Sequence, residues 1–270
     1  MKVVLFCGGM GARLRDYSGP TPKPMVTIGS YPVLWHVMKY YAHFGHTDFV
    51  LCLGYGGDYI RRYFKGGNGV LVDEALIGGP QSDVPAPDPA IRDWRVTFAE
   101  TGATASIGER LKAVEPYLEG EDMFLANYSD GLTDLPLPGY LEAFDAADKV
   151  ASFLCVKSTQ TFHVVSADDR GTVSGIDPLR DSDVWINGGF FAFRREIFDY
   201  IEPGEDLVAE PFHRLIAGKQ LMAYKYTGFW AAMDTFKDRQ WLMEVAQRGD
   251  APWEVWKNGR LPASAVPAPF

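Results

Sequence analysis

The stretch Lys2–Val26, KVVLFCGGMGARLRDYSGPTPKPMV, decides how the rest of the chain is organised. It opens with Val3-Val4-Leu5-Phe6-Cys7, a short apolar run of residue types that suit a buried strand. The run stops at Gly8-Gly9, with Gly11 two residues on, then Arg13, and later Lys23 between two prolines. Glycines remove the Cβ atoms that would keep a ligand off the backbone, and they permit positive φ. Successive backbone N–H groups in such a turn form an anion-binding nest. Arg13 and Lys23 add the full positive charges that a polyphosphate needs. The stretch reads as a strand followed by a phosphate cradle with two cations aimed at it. An ordinary strand-to-helix turn with solvated basic residues is the alternative, and a glycine turn alone does not decide between them.

Two other glycine loops are excluded. A P-loop needs Gly, four residues, then Gly-Lys-Ser/Thr, and nothing here fits. The dinucleotide fingerprint needs a third glycine three residues after the second, where this chain has Leu14.

With 35 acidic and 26 basic residues in 270, the chain carries a formal charge of -9. That balance disfavours general nucleic-acid and anionic-membrane binding, so an anionic nucleotide requires a local basic site such as the N-terminal loop. No apolar run approaches the roughly 20 residues of a membrane span. Met1-Lys2 leads straight into a short strand without a small-residue cleavage site, which argues against a signal peptide. Cys7, Cys52 and Cys155 are far apart, each in an apolar run, and read as buried reduced thiols of a cytoplasmic protein.

Beyond the loop, Tyr31-Pro32 begins a predicted helix with apolar residues at Val33, Leu34, Val37, Met38, Tyr41 and Phe44, stopped by Gly45. A strand follows over Asp48–Leu53, then a glycine turn and a short helix over Asp58–Lys65. Strand, helix, strand, helix at this spacing predicts a parallel sheet. His36, His43 and His46 lack acidic or cysteine partners at ligand spacing and read as packing or surface residues. Gly66–Arg92, rich in glycine and proline, reads as a long loop or lid. Further strands are expected at Trp94–Glu100, Met123–Asn127, Val150–Val156 and Leu221–Tyr226, and further helices at Ile107–Leu118, Pro136–Lys149, Pro211–Ala217 and Thr235–Gln247. Thr101–Ser106, small and polar before a helix start, suits hydrogen bonding to a flat base.

Asp130 follows the strand Met123–Asn127 in Tyr128-Ser129-Asp130-Gly131, at the strand end where parallel sheets bind ligands. It reads as a hard oxygen ligand for Mg²⁺ or as an Asp-Gly turn. Asp234 likewise reads as a metal ligand or a helix N-cap, and Glu210 as an acceptor from sugar hydroxyls or a first-turn acid favoured by the helix dipole. Asn187-Gly188-Gly189 reads by itself as a bulged strand.

The string Gly-Gly-x-Gly-x-Arg-Leu followed by Pro-Lys-Pro resembles the signature of the sugar-1-phosphate nucleotidyltransferases. Pro22-Lys23-Pro24-Met25-Val26, with Ile28-Gly29 and Leu34-Trp35-His36, is most similar to the glucose-1-phosphate cytidylyltransferases among them. The blocks at Tyr128–Gly131, Asn187–Phe191, Gly228–Trp230, Met233–Thr235 and Ala251–Trp253 extend the resemblance from Lys2 to about Trp256.

The resemblance implies an α/β fold with a mixed, mostly parallel, Rossmann-like sheet flanked by helices and a smaller β-rich sugar-binding part. It implies one domain over residues 1–256, with nucleotide binding in about 1–135, sugar-phosphate binding in about 136–256, and a loose tail over 257–270. The nucleotide contacts would come from Phe6, Cys7, Gly8, Gly9, Gly11, Ala12, Arg13 and Lys23, and from Thr101, Ser106, Gly108 and Arg110 in the base-reading loop. Arg110 would donate to a pyrimidine carbonyl or is a surface arginine on an amphipathic helix. The sugar phosphate would meet Tyr128, Asn187, Gly188 and Glu210, with Mg²⁺ on Asp130 and Asp234 and catalysis on Arg13, Lys23 and Asp130.

Two positions depart from the family. Ala12 stands where it has Thr, and Ile176-Asp177-Pro178 stands where the cytidylyltransferases have Glu-Lys-Pro, whose lysine contacts the sugar phosphate. A carboxylate there would repel a phosphate. Arg180 is the first candidate to replace that charge, ahead of Lys157 and His163. The implied reaction joins a nucleoside triphosphate, CTP first, to a sugar-1-phosphate, glucose-1-phosphate first, in a cytoplasmic homo-oligomer without nucleic-acid or membrane partners; the same reaction with UTP or dTTP and another sugar-1-phosphate is an alternative. A binding module without chemistry is the alternative class. A nucleotide-sugar oxidoreductase or epimerase lacks its fingerprint here.

Overall fold

The computed structural model describes residues 1–9, 21–65, 71–72, 93–158 and 162–257, with only the backbone described for 71–72. Gly11, Ala12 and Arg13, nearly all of the expected loop after Lys65, and the tail beyond residue 257 lie outside the described residues.

The first apolar run forms β1 (Val3–Phe6), and all four residues are buried. Its period of two divides the protein into layers. Val3 and Leu5 enter one core, and Val4 and Phe6 the other. The glycine-proline segment forms a short 3₁₀ turn at Lys23–Met25 and a small hairpin of β2 (Thr27–Ile28) and β3 (Tyr31–Pro32). The helix expected from Tyr31 therefore begins two residues later, as α1 (Val33–His43), because Tyr31 and Pro32 pair with the preceding strand. Gly45, at φ +86°, ends it in the conformation expected of a C-terminal glycine.

Next come β4 (Asp48–Leu53), α2 (Gly57–Lys65), β5 (Leu71–Val72) and β6 (Arg95–Glu100). The helix α3 (Ile107–Ala113) is shorter than its sequence pattern. Pro116 lacks an N–H and clashes with the carbonyl of an α-turn, so Glu115–Leu118 tightens into a 3₁₀ turn instead. The chain continues through β7 (Met123–Asn127), β8 (Gly131–Thr133), α4 (Leu137–Ala147) and β9 (Ala151–Val156). A hairpin of β10 (His163–Ala167) and β11 (Val173–Pro178) leads to β12 (Ile186–Arg194). Then follow α5 (Glu210–Ala217), β13 (Leu221–Tyr226), β14 (Trp230–Ala232) and α6 (Phe236–Arg248).

Eight strands make the central sheet in the order β13-β9-β12-β7-β1-β4-β6-β5. Every neighbouring pair is parallel except those made by β12, which runs antiparallel to both β7 and β9. This is the mixed, mostly parallel sheet expected. β12 breaks register between Asn187 and Phe191, so the Asn187-Gly188-Gly189 segment is a bulge, as read from its glycines. One face is covered by α1, α2, α4 and α6 through residues such as Trp35, Tyr41, Phe64, Tyr140 and Leu242. The other is covered by α3 and α5 through Leu111, Phe212 and Leu215.

His36, nearly fully buried, joins this core to the segment after α6. Its Nε2 donates to the Ile28 carbonyl at 3.0 Å and its Nδ1 accepts from Trp253 Nε1 at 3.3 Å. Among the described residues, no helix is long and apolar enough to cross a membrane, and all three cysteines are free and buried.

Candidate active site

The carboxyl ends of β1 and β7, side by side in the sheet, open onto a cavity of about 530 Å³. Its lining includes Phe6, Gly9, Lys23, Tyr128, Asp130 and Asp234. The two carboxylates are 104 positions apart in sequence and are joined by one small pairing. β8 pairs with β14 so that Ala232 faces Gly131, and the Met233 N–H donates to the Asp130 carbonyl at 3.0 Å. Asp234 does not cap α6. Thr235 does, in a capping box with Asp238, which leaves the Asp234 carboxylate free to turn into the cavity.

Both carboxylates converge on one point, the Lys23 ammonium, which lies 2.6 Å from Asp130 Oδ2 and 2.5 Å from Asp234 Oδ1. Burial opposes the charge of Lys23, but the two carboxylates and their hydrogen bonds outweigh it and hold its pKa above the usual lysine value. Burial pushes the Asp130 carboxyl up; Lys23 pulls against that and Asp234 adds to it. One ammonium between two carboxylates leaves an excess negative charge in a partly buried place. Among the described residues no third carboxylate, histidine or cysteine joins them. Two hard oxygen donors around one cation position fit Mg²⁺, which takes one or two carboxylates and completes its shell with water and phosphate.

The turn before Asp130 is strained. Ser129 has φ +67°, a conformation costly for a side chain with a Cβ, and three contacts hold it there. Its N–H donates to Asn127 Oδ1 at 2.7 Å, its hydroxyl to the Phe6 carbonyl at 2.8 Å, and the Tyr128 N–H to the Gly189 carbonyl at 3.2 Å. Nothing in the local sequence marks Ser129 for this role.

Arg110 is the second organising side chain. It is buried, 3% exposed, so the surface-arginine reading is wrong. Its guanidinium donates to the Gly8 carbonyl at 3.1 Å, the Thr101 hydroxyl at 2.7 Å and, more weakly, the Leu53 carbonyl at 3.4 Å. A Cβ at Gly8 would sit 2.1 Å from Arg110 Nη1, so the first glycine of the cradle makes room for this arginine. Arg110 thereby ties the glycine turn to the loop expected to read the base. Thr101 is held in turn by its hydroxyl donating to the Leu53 carbonyl at 2.8 Å.

The other nucleotide-side residues divide between cavity and frame. Phe6, Gly9 and Ser106 line the cavity. Ser106 also caps α3 in a box with Glu109, and its hydroxyl donates to the Glu205 carbonyl at 2.6 Å. Cys7 is fully buried, and burial pushes its thiol up to about 12. Gly108 packs against backbone rather than lining the cavity, since a Cβ there would lie 2.4 Å from the Glu205 carbonyl oxygen. Asp206 lines the cavity from the same segment, with no sequence signal to announce it.

On the far side, Tyr128 lines the cavity and its hydroxyl accepts from Asn187 Nδ2 at 3.4 Å. The glycines beside Asn187 serve the protein's own side chains rather than standing open for a sugar. A Cβ at Gly189, where φ is +74°, would meet the Tyr128 ring at 2.5 Å, and one at Gly188 would meet Trp230 Nε1 at 3.1 Å. Glu210 begins α5 and is exposed, away from the cavity lining, which favours its reading as a first-turn acid. Arg180 is also exposed, beside Asp181 at 3.6 Å, and is not brought to the cavity. Lys157 points instead to the Ser182 carbonyl and the Trp185 ring.

Residues 2–239 match the family model described as nucleotidyl transferase. The glucose-1-phosphate cytidylyltransferases of Salmonella typhi and Salmonella typhimurium are each 32% identical over 259 residues, spanning 95% of this chain and 100% of the relative. The solved UDP-glucose pyrophosphorylase from Acinetobacter baumanii superposes with a TM-score of 0.66 at 15% identity, covering 95% of this chain and 96% of that one, a likeness of fold.

Proposed function

This chain belongs to the nucleotidyl transferase family as a sugar-1-phosphate nucleotidyltransferase, and we propose that its substrates are CTP and glucose-1-phosphate, with pyrophosphate as the second product. The observation that carries the chemistry is the Lys23 ammonium between Asp130 and Asp234, at the carboxyl ends of β1 and β7, beside a glycine turn. Full-length similarity to cytidylyltransferases supports the choice of base and sugar.

In this reading a phosphate oxygen of the sugar-1-phosphate attacks the α-phosphorus of CTP. A new phosphorus–oxygen bond forms, the bond between the α-phosphorus and the bridging oxygen breaks, and its electron pair leaves with pyrophosphate. The nucleophile is already anionic, so no general base is needed. Rate then comes from in-line positioning and from neutralising charge around the transferring phosphate. Lys23 would bridge the incoming phosphate and the α-phosphate, and Arg13 would hold the β- and γ-phosphates. The glycine turn, anchored by Arg110 at the Gly8 carbonyl, would let backbone N–H groups reach the triphosphate. Asp130 and Asp234 would hold Mg²⁺, which when bound acts as a Lewis acid on the α-phosphate. Free, buried thiols support a place in the reducing cytoplasm, and we propose a homo-oligomer there.

The test is pyrophosphate release with Mg²⁺ across CTP, UTP, dTTP, GTP and ATP, each against a panel of sugar-1-phosphates. CTP with glucose-1-phosphate should give the highest kcat/KM. Tight nucleotide binding with no release from any pair would refute the catalytic proposal in favour of a binding module.

A further inference from the structure

Lys23 combines a fixed backbone with a movable side chain. Pro22 and Pro24 flank it, and their rings set φ on either side. The Met25 N–H closes the turn on the Pro22 carbonyl at 2.8 Å, and the buried Pro24 and Met25 anchor it in the core. The side chain is a flexible four-carbon stem ending in a compact charge, so it can re-aim without disturbing that turn.

Its ammonium is spent on one oxygen of each carboxylate, Asp130 Oδ2 at 2.6 Å and Asp234 Oδ1 at 2.5 Å. These are the two groups whose donor chemistry fits Mg²⁺, so ammonium and metal draw on the same oxygens. A divalent cation bonded to either of them would meet the ammonium at close range, and partial burial leaves that repulsion weakly screened. The site therefore favours one cation or the other. Lys23, Asp130 and Asp234 all line the cavity, so a phosphate group entering it reaches the ammonium directly. Such a group offers the ammonium charged oxygens as good as the carboxylates it would leave.

We propose that Lys23 is a stand-in cation, which keeps Asp130 and Asp234 from taking up a divalent metal until a nucleotide phosphate draws the ammonium away. Metal and nucleotide then bind cooperatively, and by linkage each raises the affinity for the other by the same factor. This rests on the transferase reading above. It adds a condition on when the two carboxylates become available, set by the one side chain that also meets the phosphates.

The test reads the binding of Mn²⁺ alone to the full chain, by electron paramagnetic resonance and without turnover, because carboxylates take Mn²⁺ as they take Mg²⁺. Wild type is compared with Lys23→Met, which keeps the stem and removes the charge, and with Lys23→Met combined with Asp130→Asn. Circular dichroism checks that each variant folds. Without nucleotide, Lys23→Met should bind Mn²⁺ about tenfold or more tightly than wild type, and the double variant should lose that gain. CMP, whose single phosphate corresponds to the α-phosphate, should tighten Mn²⁺ binding by wild type about tenfold and by Lys23→Met much less. Mg²⁺ should likewise raise the thermal midpoint of Lys23→Met more than that of wild type. A folded Lys23→Met protein with wild-type Mn²⁺ affinity would overturn the proposal. So would wild-type Mn²⁺ binding that CMP leaves unchanged, a comparison that needs no variant. Absence of pyrophosphate release by the wild type with every substrate pair would instead overturn the transferase reading itself.

Discussion

Replacing Lys23 with alanine separates what this residue does for the fold from what it does for the reaction. Its ammonium makes two charge-assisted hydrogen bonds, at 2.6 and 2.5 Å, to carboxylates whose side chains are 21% and 33% exposed. Removing one partner of a fully buried pair costs about 3–5 kcal/mol, and an exposed pair is worth about 0–1 kcal/mol. Partial exposure places Lys23→Ala between them, at about 1–3 kcal/mol, most of it from leaving two carboxylates facing each other. Adding Asp130→Asn removes that repulsion and should restore about half of the loss in urea denaturation. Activity should behave differently. A cation that neutralises charge on the transferring phosphate is worth about 10²–10³-fold in kcat, and Asp130→Asn cannot restore it. The assay is pyrophosphate release at saturating CTP and glucose-1-phosphate, on variants shown to be folded by circular dichroism. A folded Lys23→Ala protein with kcat within about tenfold of wild type would refute the role given to Lys23. Full recovery of activity in the double variant would show that Lys23 only screens Asp130.

Other outcomes follow from the frame around the site. Gly8→Ala should displace the Arg110 guanidinium, which its Cβ would approach to 2.1 Å, and raise the KM for CTP by about tenfold or more. Combined with Arg110→Ala it should cost little beyond the single Arg110 change, and a fully additive double mutant in steady-state kinetics would disprove the coupling. Burial lowers the His36 pKa from 6.5 to about 4, so between these values the unfolded chain binds the extra proton. Its contribution is therefore present above pH 6.5 and is lost as pH falls through 4, by about 3 kcal/mol in all. Thermal midpoints measured from pH 7 to 4 should fall less steeply in a folded His36→Gln variant; an identical slope would remove His36 from the acid response. Finally, the native protein should show no thiol reacting rapidly with a chromogenic disulfide, and three after denaturation, since Cys7, Cys52 and Cys155 are all buried. A fast native thiol would contradict that burial.

The parallel sheet was legible because its strands are dense apolar runs punctuated by glycine. Asp48–Leu53, Met123–Asn127 and Leu221–Tyr226 were readable to the residue for that reason. Less legible was anything that depends on pairing between distant segments. Tyr31-Pro32 looks like a helix start and is instead a strand, because its partner is Thr27–Ile28. The cradle glycines were recognisable as a class, but a glycine pattern does not say that Gly8 is reserved for an arginine 102 residues away. The same holds for Gly189 and the Tyr128 ring. Asp130 and Asp234 could be named from their strand ends and the family pattern. Their meeting on Lys23 is a product of the β8–β14 pairing, which is too short to carry a signal in either strand.

The bonds of Lys23 span 107 and 211 positions of sequence. Synthesis from the N-terminal side presents Lys23 before the first carboxylate, and the first carboxylate before the second. The two carboxylates therefore cannot meet on Lys23 until Asp234 has emerged and β14 has docked on β8. A truncated product ending before Asp234 would retain Lys23 and Asp130 but lack the second carboxylate, so under the proposed mechanism it should release no pyrophosphate.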